Sequence, residues 1–178
     1  SAGSTVSGDN YVGGLVGSTQ RSTVSYSSAS GAVTATQSYA GGLVGESYDS
    51  FINFGTASGN VNGVSYVGGL AGRNGYSSNV SNSSASGSVS GTQDVGGLVG
   101  FNAFGIDTSH ATGNVSGTTN VGGLVGNNEW VYGTTFGVYT TGAISNSYVA
   151  TGTVTGVSNV GGLVGRNTTT SNTVTSSN

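Results

Sequence analysis

The chain has 178 residues, of which 35 are glycine and only 5% are charged, and its formal net charge is −3. Three basic residues form no basic patch, so nucleic-acid binding is not expected, and the absence of cysteine excludes disulfides. No apolar run reaches the length of a membrane-spanning helix, so we expect no membrane insertion.

From its first residues onward, the chain repeats one glycine-rich word. The string GGL occurs six times, with its leucine at Leu15, Leu43, Leu70, Leu98, Leu124 and Leu163. Successive leucines are 28, 27, 28, 26 and 39 residues apart. A second word lies between them, as in INFGTASGNVN and VSNSSASGSVS. Such self-similarity at a near-constant period indicates a repeat architecture.

The second word alternates between core-type and polar residues. In ASGSVSG, Ala85, Gly87 and Val89 fall on one face, whereas Ser86 and Ser88 fall on the other. This period of two predicts a β-strand. The word VGGLVG is too short and too rich in glycine for a helix. We therefore predict an all-β chain with essentially no helix.

A unit of about 27 residues has too little apolar surface to fold alone, but stacked units share a continuous core. The sequence predicts a single parallel β-solenoid (β-helix) of about six coils over residues 1–178. Some glycines are expected to supply positive φ at the corners, and others, such as Gly13 and Gly14, to allow close backbone approach. An antiparallel sandwich or barrel with accidentally similar strands is the alternative.

The fifth unit is longer than the others, with a loop insertion at about 127–142. We expect this loop to protrude and to contact glycans or a neighbouring filament. Its candidate contact residues are Trp130, Tyr132, Phe136 and Tyr139. The alternative is a hairpin that covers the flank of its own solenoid. The loop aromatics of other units are expected to line one flank, namely Tyr48, Phe51, Phe54, Tyr76, Phe101 and Phe104.

The GGLVG strings and the Ala-x-Gly-x-Val word that follows them resemble the GLUG-motif repeats of bacterial surface proteins. Those repeats occur in large adhesins and in non-catalytic regions of some immunoglobulin A peptidases. The resemblance extends over nearly the whole chain. It implies an extracellular, cell-surface or adhesin-like setting, and it carries no catalytic residues.

The two ends of the chain continue each other's pattern. The last residues, SNTVTSSN, begin the second word, and the first residues, SAGSTVSG, complete it. Across such a join, Val174 and Val6 are 10 residues apart, as are Ile144 and Val154. We expect a subunit junction formed by Ser1, Ala2, Val6, Val174, Thr175 and Asn178. Any cut through a longer repeat protein would also give complementary ends.

These observations predict a structural subunit that stacks head to tail on copies of itself into an extracellular filament. Six coils at about 4.8 Å each give an advance of roughly 29 Å per subunit. The alternative is a stalk or repeat segment of a large cell-surface adhesin. Ice binding is a minor alternative, because the polar face lacks a regular threonine lattice.

The polar residues give little indication of catalysis. The sole histidine, His110, occupies the same repeat position as Ser84, Thr56 and Ser28. The carboxylates are dispersed over different units, and no calcium-binding loop pattern occurs. We therefore predict no enzymatic activity, no catalytic or metal site and no cofactor.

Overall fold

The fold is all-β, as the sequence predicts. The computed structural model describes residues 1–129, 142–168 and 173–175, and the backbone of 131–133 and 138–140. These residues form 31 strands and no helix. Parallel strands wind into a β-solenoid of six coils, which confirms the predicted fold class.

Five short strands make up each of the first three coils. The first coil contains β1 (Val6–Gly8), β2 (Val12–Gly13), β3 (Val16–Gln20), β4 (Thr23–Ser25) and β5 (Ser28–Ala29). The second contains β6 (Val33–Ala35), β7 (Ser38–Gly41), β8 (Val44–Tyr48), β9 (Phe51–Asn53) and β10 (Thr56–Ala57). The third contains β11 (Val61–Asn62), β12 (Ser65–Gly68), β13 (Ala71–Asn74), β14 (Asn79–Ser81) and β15 (Ser84–Ala85).

The remaining coils follow the same plan, with one inserted hairpin. The fourth coil contains β16 (Val89–Ser90), β17 (Gln93–Gly96), β18 (Val99–Asn102), β19 (Gly105–Asp107) and β20 (His110–Ala111). The fifth contains β21 (Val115–Ser116), β22 (Thr119–Gly122), β23 (Val125–Glu129), the hairpin strands β24 (Val131–Gly133) and β25 (Val138–Thr140), β26 (Ala143–Ser145) and β27 (Tyr148–Val149). The sixth contains β28 (Val154–Thr155), β29 (Ser158–Gly161), β30 (Val164–Thr168) and β31 (Val174–Thr175).

Equivalent strands of successive coils pair in parallel and build five sheets along the solenoid. Sheet 1 contains β1, β6, β11, β16, β21 and β28; sheet 2 contains β2, β7, β12, β17, β22 and β29; sheet 3 contains β3, β8, β13, β18, β23 and β30. Sheet 4 contains β4, β9, β14, β19, β26 and β31, and sheet 5 contains β5, β10, β15, β20 and β27. We call the first coil the lower end and the sixth coil the upper end.

The register stacks each residue on its counterpart one coil away. Val61 pairs with Val33 below and Val89 above, and the leucine amides donate to the leucine carbonyl oxygens of the next coil. The leucines of the second to fifth coils are fully buried, in one core cluster with residues of sheets 3, 4 and 5. A second cluster lies between sheets 1 and 2 and contains mostly valine. The predicted stacking of Leu on Leu and Val on Val is therefore confirmed.

The second glycine of the first five GGL words lies where two coils touch. A Cβ on Gly69 would overlap the carbonyl oxygen of Gly97 and stand 2.9 Å from the Cβ of Ala85. Gly42 and Gly97 meet equivalent atoms, including an alanine Cβ of sheet 5 in each case. The predicted role of these glycines in close approach is confirmed, and it explains why the second word carries alanine: a larger side chain there would press on the glycine backbone.

Positive φ at the corners is not supplied by glycine, contrary to the sequence-based expectation. Among the described residues, Gly152 is the only glycine in that region of φ. Positive φ at the start of sheet 2 belongs to Tyr11, Tyr39, Tyr66, Asp94, Asn120 and Asn159, which we call the first corner ladder. The corner after sheet 4 is occupied by Tyr26, Phe54, Asn82, Thr108 and Asn146, the second corner ladder. A left-handed residue other than glycine costs about 1–2 kcal/mol. Ring stacks such as that of Tyr11 on Tyr39, and hydrogen bonds such as that from Asn120 to Asp94, offset that cost.

A column of asparagines links four coils by hydrogen bonds at the end of sheet 3, although the Asn74 Oδ1 at its lower end is buried without a hydrogen-bond partner. The Asn74 Nδ2 donates to Asn102 Oδ1 over 2.7 Å, and the Asn102 Nδ2 donates to Asn128 Oδ1 over 2.8 Å. The Asn128 Nδ2 in turn donates to Asn167 Oδ1 over 2.8 Å. Because each buried amide has the same partner one coil away, the column favours the in-register arrangement.

Adding a methyl group at the contact between coils should destabilise the solenoid. We expect Gly69→Ala to cost about 2–3 kcal/mol, because the new Cβ overlaps backbone that cannot move without shifting a coil. The thermal midpoint measured by circular dichroism should fall by roughly 5–10 °C. Gly162→Ala is the matched control, measured in solution dilute enough to keep wild type monomeric, since a Cβ there meets no atom within 4 Å. Equal midpoints for both variants would contradict the proposed contact.

Candidate functional site

The lower end of the solenoid presents one uncovered edge. Ala2 forms a parallel bridge with Ala29, and its amide donates to the Ser28 carbonyl oxygen over 2.8 Å. Val6 pairs with Val33 and is half-buried. Leu15 is 38% exposed, whereas the leucines of the next four coils are fully buried. Apolar side chains that are core elsewhere are therefore open at this end.

The upper end presents the opposite edge with matching residue types. Val174 and Thr175 pair with Ile144 and Ser145 of the coil below. Val174 is 38% exposed and Val160 is 45% exposed, although their counterparts in lower coils are buried. The structure thus places the predicted junction residues at two opposite ends; Ser1 is exposed at the lower end, and Asn178 lies outside the described residues.

Glycine geometry also distinguishes the upper end. Gly14, Gly42, Gly69, Gly97 and Gly123 each have the backbone of the next coil against the position of a Cβ. The equivalent glycine in the sixth coil, Gly162, has nothing within 4 Å. The need for glycine at this repeat position therefore comes from the coil above.

The first corner ladder changes from aromatic to polar along the solenoid. The rings of Tyr11 and Tyr39 stack at 4.7 Å, and those of Tyr39 and Tyr66 at 5.0 Å. Above them, the Asn120 Nδ2 donates to Asp94 Oδ1 over 2.6 Å. The aromatic stack of this ladder thus ends at Tyr66, and the next residue above it is Asp94, whose carboxyl group is buried.

Two carboxyl groups of the solenoid have pKa values that are shifted in opposite directions. Burial raises the pKa of Asp94, which is 2% exposed, although hydrogen bonds from Asn120 and other amides lower it. Hydrogen bonds from Ser145, Thr108 and Asn146 hold the pKa of Asp107 below its usual value. Both shifts have causes within the solenoid itself, namely burial and hydrogen bonds from neighbouring coils, and both make stability depend on pH.

Sheet 3 carries four of the nine charged side chains, namely Glu46, Arg73, Glu129 and Arg166. The Arg73 Nη1 lies 2.6 Å from Glu46 Oε1, and the Arg73 guanidinium lies 5.8 Å from the centre of the Phe101 ring. Phe101 also meets Tyr66 edge to face at 5.6 Å. Phe101 therefore belongs to a surface strand, whereas the sequence-based expectation placed it with the loop aromatics.

Aromatic residues also crowd the second corner, on the first two coils. The rings of Tyr26 and Phe54 stack at 4.8 Å, and Phe51 lies on the adjacent strand β9. We call Tyr26, Phe51 and Phe54 the aromatic patch; their exposed fractions are 79%, 52% and 43%. The ring of Tyr48, the last residue of β8, lies 6.0 Å from that of Tyr76, which is in the loop between β13 and β14.

The inserted loop of the fifth coil contains an antiparallel hairpin. Tyr132 of β24 pairs with Tyr139 of β25 through the backbone. Trp130 and Phe136 lie outside the described residues. The predicted contact role of these four aromatics stays a prediction.

His110 occupies an ordinary repeat position, as predicted. It pairs with Ser84 below and Tyr148 above, and its ring stacks on Tyr148 at 5.1 Å. Across the described parts of the chain, no three acidic or histidine side chains come close enough to hold a metal ion. In the same parts, no helix is long and apolar enough to cross a membrane.

Sequence reasoning missed the aromatic stack of the first corner ladder and the exposed Tyr26. The signal was present, because Tyr11, Tyr39 and Tyr66 all precede the valine or alanine of the first word. In a solenoid of fixed register, any residue type recurring at one repeat position must stack on itself.

The comparisons with known proteins agree with this repeat structure. The GLUG motif matches residues 8–34 and 63–90, which contain Leu15 and Leu70. The resemblance to GLUG-motif repeats is therefore confirmed at these two repeats. No curated protein and no solved structure matches the chain.

The two shifted carboxyl groups should give opposite pH dependences. The folded pKa of Asp94 is raised, so its stabilising contribution is complete below the unfolded value of 3.8 and is lost as pH rises through the folded pKa. We expect Asp94→Asn, which copies Asn120 one coil above, to be more stable than wild type at pH 7. This gain in the free energy of unfolding should become smaller below pH 3.8, where the carboxyl group of wild type is protonated in both states.

Asp107→Asn is the matched variant of opposite sign. The lowered pKa of Asp107 contributes stability above 3.8 that is lost as pH falls through the folded pKa. This variant should therefore be less stable than wild type at pH 7, with a smaller difference in acid. Urea denaturation between pH 2 and 7 measures both differences. A pH-independent difference for Asp94→Asn would show that Asp94 does not titrate as a buried group.

Proposed function

We propose that the chain is a non-enzymatic structural protein of the cell surface, and that its solenoids stack lower end on upper end into an extracellular filament. The single observation that carries this proposal is the pair of uncovered ends with matching residue types. Leu15 at the lower end and Val160 at the upper end are 38% and 45% exposed, whereas Leu43 and Val121 inside the solenoid are fully buried.

A stacked copy would continue every sheet without changing its residue pattern. Val6 of the second copy would follow Val154 in sheet 1, and Leu15 would follow Leu163 in the leucine column. The open strands supply unpaired backbone groups, which template pairing with another strand edge. A head-to-tail contact of this kind does not close on itself, so it generates a filament rather than a ring.

The setting of the filament is supported by the repeat type. GLUG repeats at residues 8–34 and 63–90 are compatible with an adhesin-like surface protein. In the stalk alternative, further coils of one long polypeptide would cover the same edges. The two cases differ in the mass of the natural polypeptide, which is near 17.2 kDa for a subunit and far larger for a stalk segment.

Ice binding remains a second candidate because one long face of the solenoid is uncharged. The outward positions of sheet 1 are Ser7, Thr34, Asn62, Ser90, Ser116 and Thr155. Only two of these six residues are threonine, so the face is not a regular threonine lattice. Thermal hysteresis by the purified protein would favour this candidate over the filament.

The filament proposal is tested by electron microscopy and light scattering of the purified chain. We expect wild type to form fibres with an axial repeat of roughly 29 Å, because six coils each advance about 4.8 Å. A monodisperse monomer at high concentration would overturn the proposal.

A single methyl group at the upper end should block the junction. Gly162→Ala places a Cβ where the backbone of the next copy would lie, as the equivalent Gly42 shows inside the solenoid. We expect this variant to stay folded and monomeric. Val157→Thr is the control, because Val157 is 81% exposed in the same coil and threonine occupies its position at Thr118. Fibres of unchanged repeat from Gly162→Ala would rule out this register of stacking.

A further inference from the structure

The aromatic patch is not required by the solenoid fold. In the third to fifth coils, the repeat position of Phe51 is occupied by Asn79, Gly105 and Ala143. The positions of Tyr26 and Phe54 are likewise occupied by Asn82, Thr108 and Asn146. Polar or small residues thus form the same corner equally well. The fold therefore does not require aromatic side chains at these three positions.

A shallow hollow lies beside the patch and combines one aromatic ring with polar groups. It has a volume of about 250 Å³ and is lined by Arg21, Ser22, Thr23, Asp49 and Phe51. This volume is below the range of drug-sized ligand pockets and suits a ligand of one small ring. The site is therefore small, open and of mixed character.

The charged groups of the hollow are paired with each other. The Arg21 Nε lies 3.5 Å from Asp49 Oδ2; the Arg21 side chain is largely exposed and that of Asp49 is partly exposed. Their charges cancel, so the hollow has no net attraction for an anion or a cation. The guanidinium can donate and the carboxylate can accept hydrogen bonds from a neutral ligand that carries hydroxyl groups.

We propose that this hollow and the aromatic patch form a binding site for a neutral carbohydrate. The C–H face of a pyranose ring packs flat on the Phe51 ring, because the apolar face of this ligand is best covered by an apolar side chain. Its hydroxyl groups donate to the Asp49 carboxylate and accept from the Arg21 guanidinium. The stacked rings of Tyr26 and Phe54 extend the platform for a second sugar ring.

Carbohydrate is favoured over a second copy of this chain as the occupant. A homophilic contact would leave the Arg21–Asp49 pair buried against aromatic rings without new partners, which is costly. Sugar hydroxyl groups satisfy this pair while the ring faces are covered. Asp49, Phe51 and Phe54 belong to the second coil, so this part of the site lies one coil away from the stacking surface of the lower end.

The proposal is tested by saturation-transfer NMR and titration calorimetry with neutral probes. The probes are methyl pyranosides of glucose, galactose, mannose and N-acetylglucosamine, and β-linked disaccharides of these sugars. We expect at least one probe to bind saturably, with saturation transferred from aromatic protons to its C–H face. Both measurements apply to monomer and filament alike, so failure here is distinct from failure of the filament proposal.

Repeat-guided substitutions provide matched variants that preserve the fold. Phe51→Asn and Tyr26→Asn introduce the residues found at Asn79 and Asn82. We expect each to weaken binding at least tenfold. Tyr148→Ser is the control, because it removes a 40% exposed aromatic from sheet 5 and restores the serine found at Ser84. It should leave affinity within twofold.

Three results would overturn the assignment. They are the absence of binding by any probe at millimolar concentration, unchanged affinity in Phe51→Asn, and equal loss of affinity in Tyr148→Ser. Loss of self-association in Tyr26→Asn without loss of sugar binding would instead make the patch a contact between copies.

Discussion

The close contact between successive coils is the constraint on which the rest of this structure depends. At Gly42 and Gly69, the position of a Cβ is already filled by the backbone of the neighbouring coil and by an alanine of sheet 5. This contact fixes the register, so each leucine falls on the next leucine. It also explains the pattern of burial, because Leu43 and Leu70 are fully covered while Leu15 at the lower end is not.

Stacking identical residues in successive coils also limits how many charged side chains the chain can hold. A charged residue repeated at one position would face its own kind at about 4.8 Å, which is destabilising. The chain has only nine charged side chains, three basic and six acidic, and sheet 3 places Arg73 directly above Glu46. Asp94 shows the same principle in a buried position, where the next residue of the ladder is the amide of Asn120. Neutral polar columns of Asn and Ser are therefore the usual solution.

Sequence alone was sufficient for the repeated features and insufficient for the unique ones. The leucine column, the alternation around Val89 and the ordinary position of His110 follow from a fixed period. In a stacked repeat, residues one period apart in the sequence lie directly above each other in the structure. The left-handed corners did not follow, since Tyr39 carries no local signal for positive φ and is held there by its stacked neighbours. The position of Phe101 and the hollow beside Phe51 depend on contacts between different coils, which periodicity does not reveal.

The most direct test of the account is hydrogen exchange of the Leu163 amide at low and high protein concentration. In the coils below, each leucine amide donates to the leucine carbonyl oxygen of the next coil, as Leu124 does to Leu163 over 2.9 Å. If copies extend the solenoid, the Leu163 amide gains the same partner from Leu15 of the next copy. The account predicts fast exchange in dilute solution and protection comparable to that of Leu98 at high concentration. Exchange at Leu163 that is fast at every concentration would contradict it.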